Sequence, residues 1–495
     1  MKTTKTTLLL ALALALALAL PALPAAAQAD FSKFVVVGAS VDAGFLDSCW
    51  VKHGQVDSWP AIFARQAGIA DSNFQQPIVN EPGLGPCQVL TSLAPTFSYK
   101  PNTGTPANLT LARPYDNLAI PGYLGASIVA CTKATDTVPC KNALIDLVLR
   151  GSGATVLQQA ASLKPTFFAI GVLGNELLGP ATSGTVVDGV TLVSKDVYAA
   201  SYKAIVDTMK AAQGGSGKGI ALTVPDVTTL PYFTAVSPIL GLNPATGAPI
   251  TVLGSTGCPP GYPACPVPLG TIVPLPLGAL MQAGYGVPCA VKSLPKCDNP
   301  LPDSGTVING SAVPGLLYPS EVSLLKTRGG EYNAQIKSLA EAAGYKVFDT
   351  AALLADIAAK GRSYGGVTLT SSYLAGGVFS YDGVHPTATG YAVVADALVQ
   401  FVNDQYGMSL PRVNMYPYLF NGNSQAGGYP ANSFGPPTQE QIVEWAAAYF
   451  TPETLDAFWK TMGVSIEEPA LVLGSGDEPA PMAPAPAPKR TMLDQ

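Results

Sequence analysis

The residues with the clearest potential for chemistry lie in the segment Ser380–Thr387, which holds one of the two histidines of the 495-residue chain. In this segment Asp382 stands three residues before His385. A carboxylate at that spacing can orient the imidazole from one tight turn and stabilise its positive charge, as the base of a serine hydrolase requires. The other histidine is His53, so His385 is the candidate base.

A candidate nucleophile is Ser40, in the segment Gly38–Gly44, which directly follows the apolar run Phe34–Val37. A serine flanked by small residues just past a strand has an accessible hydroxyl, although most such serines are turn or helix-capping residues. Serine is a weak nucleophile until a base takes its proton. The sequence therefore predicts that Ser40 and His385 act together.

Two further loops contain groups that can stabilise a developing negative charge on oxygen. Gly122 ends the segment Asn117–Gly122, and a glycine lets the backbone N–H approach a substrate oxygen closely. Asn175 lies in Gly171–Glu176, and its amide can donate a hydrogen bond to an oxyanion. Each loop taken alone is also what an ordinary turn would contain.

The order of these groups is more specific than any one of them. Ser, Gly, Asn and Asp-x-x-His follow one another between Phe34 and about Val402. This arrangement resembles the SGNH (GDSL-type) hydrolase family, exported bacterial type. The resemblance implies an α/β fold, a flattened three-layer α/β/α sandwich. It also implies an esterase or lipase that cleaves carboxylic esters through an acyl-enzyme intermediate.

The resemblance also assigns roles to single residues. It implies that Ser40 is the nucleophile, that His385 is the general base and acid, and that Asp382 orients the histidine. The oxyanion hole would consist of the N–H groups of Ser40 and Gly122 and the side chain of Asn175. The mechanism needs neither a cofactor nor a metal, and the expected partner is a small-molecule or lipid ester.

The chain departs from the family pattern at two positions. Ala39 stands where G-D-S-L has its acidic residue, and Glu176 stands where G-x-N-D has aspartate. The first change is expected to alter the pocket without removing the nucleophile. Two alternatives stay open: a carbohydrate O-acyl (acetyl) esterase, and a non-catalytic SGNH-like binding module. A lipase would need an apolar groove, for which Val273–Leu277 is a candidate wall.

The elements that must position these residues alternate along the chain. Short apolar runs predict buried strands at 34–37, 167–170, 220–224 and 345–348. Helical spacing is found at 198–212, at 332–343 and at 391–401. Alternating strands and helices indicate a mainly parallel sheet, whose active site lies at the carboxyl ends of the strands. Ser40 and Asn175 both follow predicted strands.

Residues 1–29 are typical of a cleavable secretory signal. Lys2 and Lys5 precede the apolar run 8–20, and Ala27–Ala29 forms a small-residue cleavage site. An uncleaved N-terminal anchor is the alternative. No later stretch has the roughly 20 apolar residues of a spanning helix. The expected location is therefore outside the cytoplasm, in the periplasm or the medium.

The remainder divides by composition. Residues 30–410 form the predicted hydrolase-like domain, interrupted at about 226–316 by a Pro- and Gly-rich insertion, equally compatible with a lid and with a plain surface excursion. Residues 411–473 form a C-terminal extension, with two short helices predicted after Thr438 and Thr451. Docking to a surface is an open alternative role for the extension. Residues 474–495 are Pro- and Ala-rich, typical of a disordered tail.

Charge and cysteine content narrow the class further. The formal net charge is −6, and the absence of a basic cluster argues against a nucleic-acid partner. Eight cysteines in an exported chain indicate disulfides. Their spacing suggests the pairs Cys131–Cys140, Cys258–Cys265, Cys289–Cys297 and Cys49–Cys87, although sequence alone does not fix the pairing. A metal site is the weaker alternative, because no C-x-x-C occurs.

Overall fold

The structure, a computed structural model, describes residues 29–92, 96–215, 217–308 and 311–420. It is a mixed α/β fold with a central parallel sheet. Residues 1–28 of the predicted signal, the helices predicted after Thr438 and Thr451, and the Pro- and Ala-rich tail lie outside the described residues.

The secondary structure of the described residues is as follows. The strands are β1 (Phe34–Val37), β2 (Gln88–Ser92), β3 (Thr96–Tyr99), β4 (Phe167–Ile170), β5 (Gly219–Leu222), β6 (Ile239–Leu242), β7 (Pro249–Thr251), β8 (Leu253–Gly254), β9 (Cys265–Pro266), β10 (Thr306–Ile308), β11 (Ser311–Val313), β12 (Lys346–Phe348), β13 (Arg362–Tyr364) and β14 (Val367–Leu369). The helices are α1 (Lys52–Val56), α2 (Trp59–Gln66), α3 (Gly125–Ala130), α4 (Leu144–Leu149), α5 (Val156–Ser162), α6 (Asn175–Ser183), α7 (Lys195–Ala212), α8 (Pro231–Thr234), α9 (Leu277–Ala283), α10 (Pro319–Ala343), α11 (Thr350–Lys360), α12 (Ala388–Tyr406) and α13 (Tyr416–Phe420).

The central sheet has the strand order β1-β4-β5-β12, and its neighbours pair in parallel. Every residue of β1, β4 and β5 is buried. Continuous apolar runs of this kind are expected where a parallel sheet is covered on its faces. All four strands predicted from the sequence are confirmed, although β5 begins one residue earlier and ends two residues earlier than predicted, and β12 begins one residue later.

Helix α12 fixes the segment that carries His385. Its first turn is capped by Thr387, whose Oγ1 accepts a hydrogen bond from the Gly390 N–H at 3.0 Å. Most of the helix is buried, and it packs against α2. Because His385 lies two residues before the cap, a rigid helix start determines where the imidazole can lie.

The eight cysteines form four disulfides within the described residues. The pairs are Cys49–Cys87, Cys131–Cys140, Cys258–Cys265 and Cys289–Cys297. They are the pairs that the spacing suggested, and no cysteine is left free. A cysteine metal site is therefore excluded.

The predicted insertion has a small core of its own. Val273 and Leu277 are fully buried and pack with Val252 and Leu301. The two ends of the stretch Val273–Leu277 therefore hold the insertion together and are not available as the wall of an apolar groove. At its start, the insertion contacts the candidate site: the Tyr232 N–H donates to the Gly383 carbonyl at 2.9 Å.

The first residues of the predicted C-terminal extension pack on the main domain. Thr389 of α12 donates a hydrogen bond to the carbonyl of Tyr418 in α13 at 2.6 Å. The Arg412 Nε donates to the buried Asp396 carboxylate, also at 2.6 Å. No helix in the described ranges is both long and apolar enough to cross a membrane.

Candidate active site

Ser40 lies three residues after β1, at the carboxyl end of the sheet, and is 7% exposed. Its carbonyl accepts hydrogen bonds from the N–H groups of Ala43 and Phe45, which closes a tight turn around the serine. Within the described residues the Ser40 N–H has no hydrogen-bond partner. The turn thus leaves both the hydroxyl and this N–H available to a ligand.

An acidic residue, Asp42, supports this turn from inside. Its carboxylate accepts hydrogen bonds from the Ala39 N–H at 2.8 Å, the Trp59 indole at 3.0 Å and the Val172 N–H at 3.2 Å. Burial raises its pKa to about 7 against the effect of these hydrogen bonds. Position 39 of this turn is an alanine, and the acidic residue of the turn is Asp42, two residues after Ser40. Sequence analysis missed Asp42, and its place in a turn of small residues was the available signal.

His385 and Asp382 form a buried pair. The imidazole Nδ1 lies 2.8 Å from Oδ2 of Asp382, whose Oδ1 accepts the backbone N–H groups of Val384 and His385. Burial raises the pKa of Asp382, but the charge of His385 and the hydrogen bonds outweigh it and lower the pKa to about 2. The opposite nitrogen, Nε2 of His385, is buried and has no hydrogen-bond partner among the described residues.

A second turn, Asp47–Ser48, holds this pair from outside. Both residues adopt positive φ angles, 52° and 56°, which are uncommon for residues other than glycine. The Ser48 N–H donates to Oδ2 of Asp382 at 2.9 Å, and Oδ1 of Asp47 accepts the Tyr381 N–H at 2.8 Å. The disulfide of Cys49 follows directly. Sequence analysis missed this turn, which has no local signature.

Asn175 begins α6 and connects two of the predicted loops. One proton of its side-chain amide is donated to the carbonyl of Tyr123 at 2.7 Å, so the other remains for a ligand. The adjacent Gly122 has a φ of 81°, and no described residue accepts a hydrogen bond from its N–H. The Asn142 side chain holds the preceding carbonyl, that of Pro121, at 2.6 Å.

Glu176 stabilises the loop that contains Gly122. Its Oε1 accepts the Gly125 N–H at 2.7 Å, at the first residue of α3. Its Oε2 is buried without a hydrogen-bond partner in the part of the chain that the structure describes. Burial raises the pKa of Glu176 to about 7, more than the Gly125 hydrogen bond lowers it. The Glu176 carboxyl thus connects the Gly122 and Asn175 loops.

The raised pKa of Glu176 predicts that stability falls as the pH rises. In the folded chain the pKa is about 7, whereas the ordinary value is 4.5. The contribution of protonated Glu176 to the free energy of unfolding is therefore complete below pH 4.5 and is lost as the pH rises through 7. Glu176→Gln keeps the acceptor for Gly125 and cannot ionise. Between pH 5 and 9 the unfolding free energy of this variant should therefore fall less than that of the wild type, and the difference should reach up to about 3 kcal/mol. Thermal melts across this range measure the difference.

The control for this experiment is Glu341→Gln, a change of the same kind at an exposed position of α10. It should leave the pH dependence of stability as in the wild type. Parallel stability curves for wild type and Glu176→Gln would contradict the assignment.

The structure brings three of the predicted residues to one cavity. Ser40, Asn175 and His385 line it, and we call it the Ser40 cavity. Asp382 lies behind His385, and Gly122 lies beside the Asn175 loop; neither lines the cavity. Among the described residues, no three His, Cys, Asp or Glu side chains are grouped so that they could hold a metal ion.

Comparisons with known proteins add little. No protein-family model and no curated protein matches the chain. A solved structure that is similar comes from Parabacteroides merdae and is provisionally named a GDSL-like lipase. It is 10% identical, with a TM-score of 0.30, and the match covers 77% of this chain and 100% of that one. At these values the likeness carries no weight for fold or activity.

Proposed function

We propose that this chain is a serine hydrolase of carboxylic esters, an esterase or lipase with the three-layer α/β/α architecture of SGNH hydrolases. One observation carries the proposal: His385 is held by a charged carboxylate at Nδ1, while its buried Nε2 has no partner among the described residues, and it lines the cavity that Ser40 lines. A histidine that served only the core would be satisfied at both nitrogens.

In the proposed reaction the Ser40 hydroxyl attacks the ester carbonyl carbon and its proton passes to Nε2 of His385. Asp382 stabilises the imidazolium. The oxyanion accepts hydrogen bonds from the N–H groups of Ser40 and Gly122 and from the Asn175 amide. His385 then protonates the leaving alcohol. Water, deprotonated by the same histidine, attacks the acyl-enzyme, and the acid leaves while Ser40 regains its proton.

The oxyanion role of Asn175 predicts an effect on the rate. Asn175→Ala should lower kcat by roughly 10²–10³-fold with a small change in KM, because the bond forms in the transition state. Steady-state hydrolysis of p-nitrophenyl acetate measures both constants. A loss that appears in KM with kcat preserved would show that Asn175 holds the substrate and not the oxyanion.

The experiment that tests the function itself is covalent labelling. Purified protein is treated with a fluorophosphonate, which reacts preferentially with an activated serine, and the labelled peptide is identified by mass spectrometry. We expect a single adduct on Ser40, formed by folded and not by urea-unfolded protein. An unlabelled protein, or one labelled elsewhere, would favour a binding module or another nucleophile.

Export is part of the proposal. The four disulfides support it, because such bonds form and persist in oxidising compartments. We propose that the enzyme acts in the periplasm or outside the cell.

A further inference from the structure

The Ser40 cavity is apolar apart from the residues of the proposed chemistry. Besides Ser40, Asn175 and His385, its polar lining consists of Thr350 and the Trp59 indole, and the indole N–H is already bonded to Asp42. Six of the aliphatic residues come from three elements or the residues just after them: Leu222, Val224, Leu354, Ile357, Val393 and Val394. The cavity opens to solvent, and its volume for the centres of water-sized molecules is about 70 Å³, several times what one water molecule needs.

The walls belong to the rigid part of the fold. Leu222 ends β5, Ile357 is in α11, and Val393 is in the middle of α12; all three are 1% exposed or less. The N-terminus of α11 is fixed by Asp349, whose Oδ1 accepts the Ala352 N–H at 2.9 Å and the Thr223 hydroxyl at 3.1 Å. One side of the cavity is thus set by packed helices and a strand, and the loops that carry Ser40 and His385 line the rest.

We infer that this cavity binds the acyl chain of the substrate, and that the substrate is an ester of an aliphatic acid longer than acetate. The inference rests on the proposed function and names its substrate class. Aliphatic walls favour each methylene that leaves water, whereas a sugar placed there would leave its hydroxyl groups without partners.

The acyl side of the ester, and not the alcohol, belongs in the cavity. After the alcohol leaves, the acyl group stays attached to Ser40, and water must then reach His385. An apolar cavity suits the part of the substrate that stays bound through both steps, while the alcohol and the incoming water need the solvent side. A carbohydrate can therefore be the alcohol of such an ester, but acetylated sugars are not the preferred substrates.

Chain-length profiles test the inference. p-Nitrophenyl esters from C2 to C16 vary the acyl chain, and a series of acetate esters varies the alcohol. For the wild type we expect kcat/KM to rise roughly three- to fourfold per added methylene until the cavity is full, with little dependence on the alcohol. A profile that falls from C2 onward, or that responds to the alcohol instead, overturns the inference.

Variants of α11 locate the effect. Ile357→Phe fills the cavity and should lower kcat/KM at least tenfold more for C8 and longer esters than for the C2 ester. Leu354→Ala should move the optimum to longer chains. The matched control is Leu353→Ala, the neighbouring leucine, which is buried in the core without lining the cavity; it should leave the profile unchanged. Equal losses at every chain length overturn the inference.

A binding measurement separates this inference from the proposed function. Ser40→Ala protein is titrated with the fluorescent fatty acid parinaric acid, and decanoate is used as the competitor. Binding that Ile357→Phe weakens at least tenfold and Leu353→Ala does not would support the cavity as a hydrocarbon site even if no ester is hydrolysed. No binding, or equal binding by both variants, overturns it, whatever the esterase assays show.

Discussion

Replacing Ser40 by alanine should lower kcat for p-nitrophenyl esters by roughly 10⁴-fold or more, because no acyl-enzyme can then form. The protein should stay folded, since the turn is held by backbone contacts and by Asp42, not by the serine hydroxyl. Steady-state rates, together with a thermal melt of each protein, measure the loss of activity at unchanged stability.

The control is Ser372→Ala, an exposed serine whose contacts in the structure are made by its backbone. It should retain the wild-type rate and the wild-type fluorophosphonate adduct. If Ser40→Ala keeps most of the esterase rate, Ser40 is not the nucleophile, and the resemblance to SGNH hydrolases does not extend to the chemistry.

The positions of Ser40 and Asn175 could be predicted because each follows a short apolar strand, and four consecutive buried residues are visible in a sequence. The same holds for the pair of Asp382 and His385, which is local: three residues of chain place one against the other. The pairing of cysteines that are close in sequence could be predicted for the same reason.

The supports of the site were not predictable, because they join distant parts of the chain. The Ser48 N–H reaches Asp382 across 334 residues, and Asp42 reaches Val172 across 130. Neither contact has a sequence signature, since serine and aspartate in a turn are ordinary.

The cavity beside Ser40 was not predictable either. Part of its wall comes from a strand end and two helices whose apolar faces are indistinguishable from core-forming faces. The apolar stretch that attracted attention, Val273–Leu277, packs inside the insertion instead. An apolar pattern shows that side chains avoid water, but packing decides whether they close a core or leave a space.

Asp382→Asn should lower kcat by roughly 10⁴-fold, because the amide can present its NH₂ to Nδ1 and so favour the wrong tautomer of His385. Since the pKa of Asp382 is depressed to about 2 from an ordinary 3.8, the carboxylate is charged throughout pH 4 to 9. Its stabilising contribution is present above pH 3.8 and is lost only as the pH falls through 2. Protonation of Asp382 therefore does not contribute to the pH dependence of the rate above pH 4.

Asp47→Asn is the matched control for this prediction. Asp47 contacts the same turn, but its carboxylate accepts the Tyr381 N–H and does not reach the imidazole. Burial raises its pKa to about 7, so the neutral amide resembles its protonated state. We expect activity within a few-fold of wild type. Equal losses in both variants would show that the turn needs its shape and not the charge behind His385. A loss confined to Asp382→Asn would assign the effect to the carboxylate at Nδ1, because both changes replace a carboxyl group by an amide at neighbouring places around the same turn.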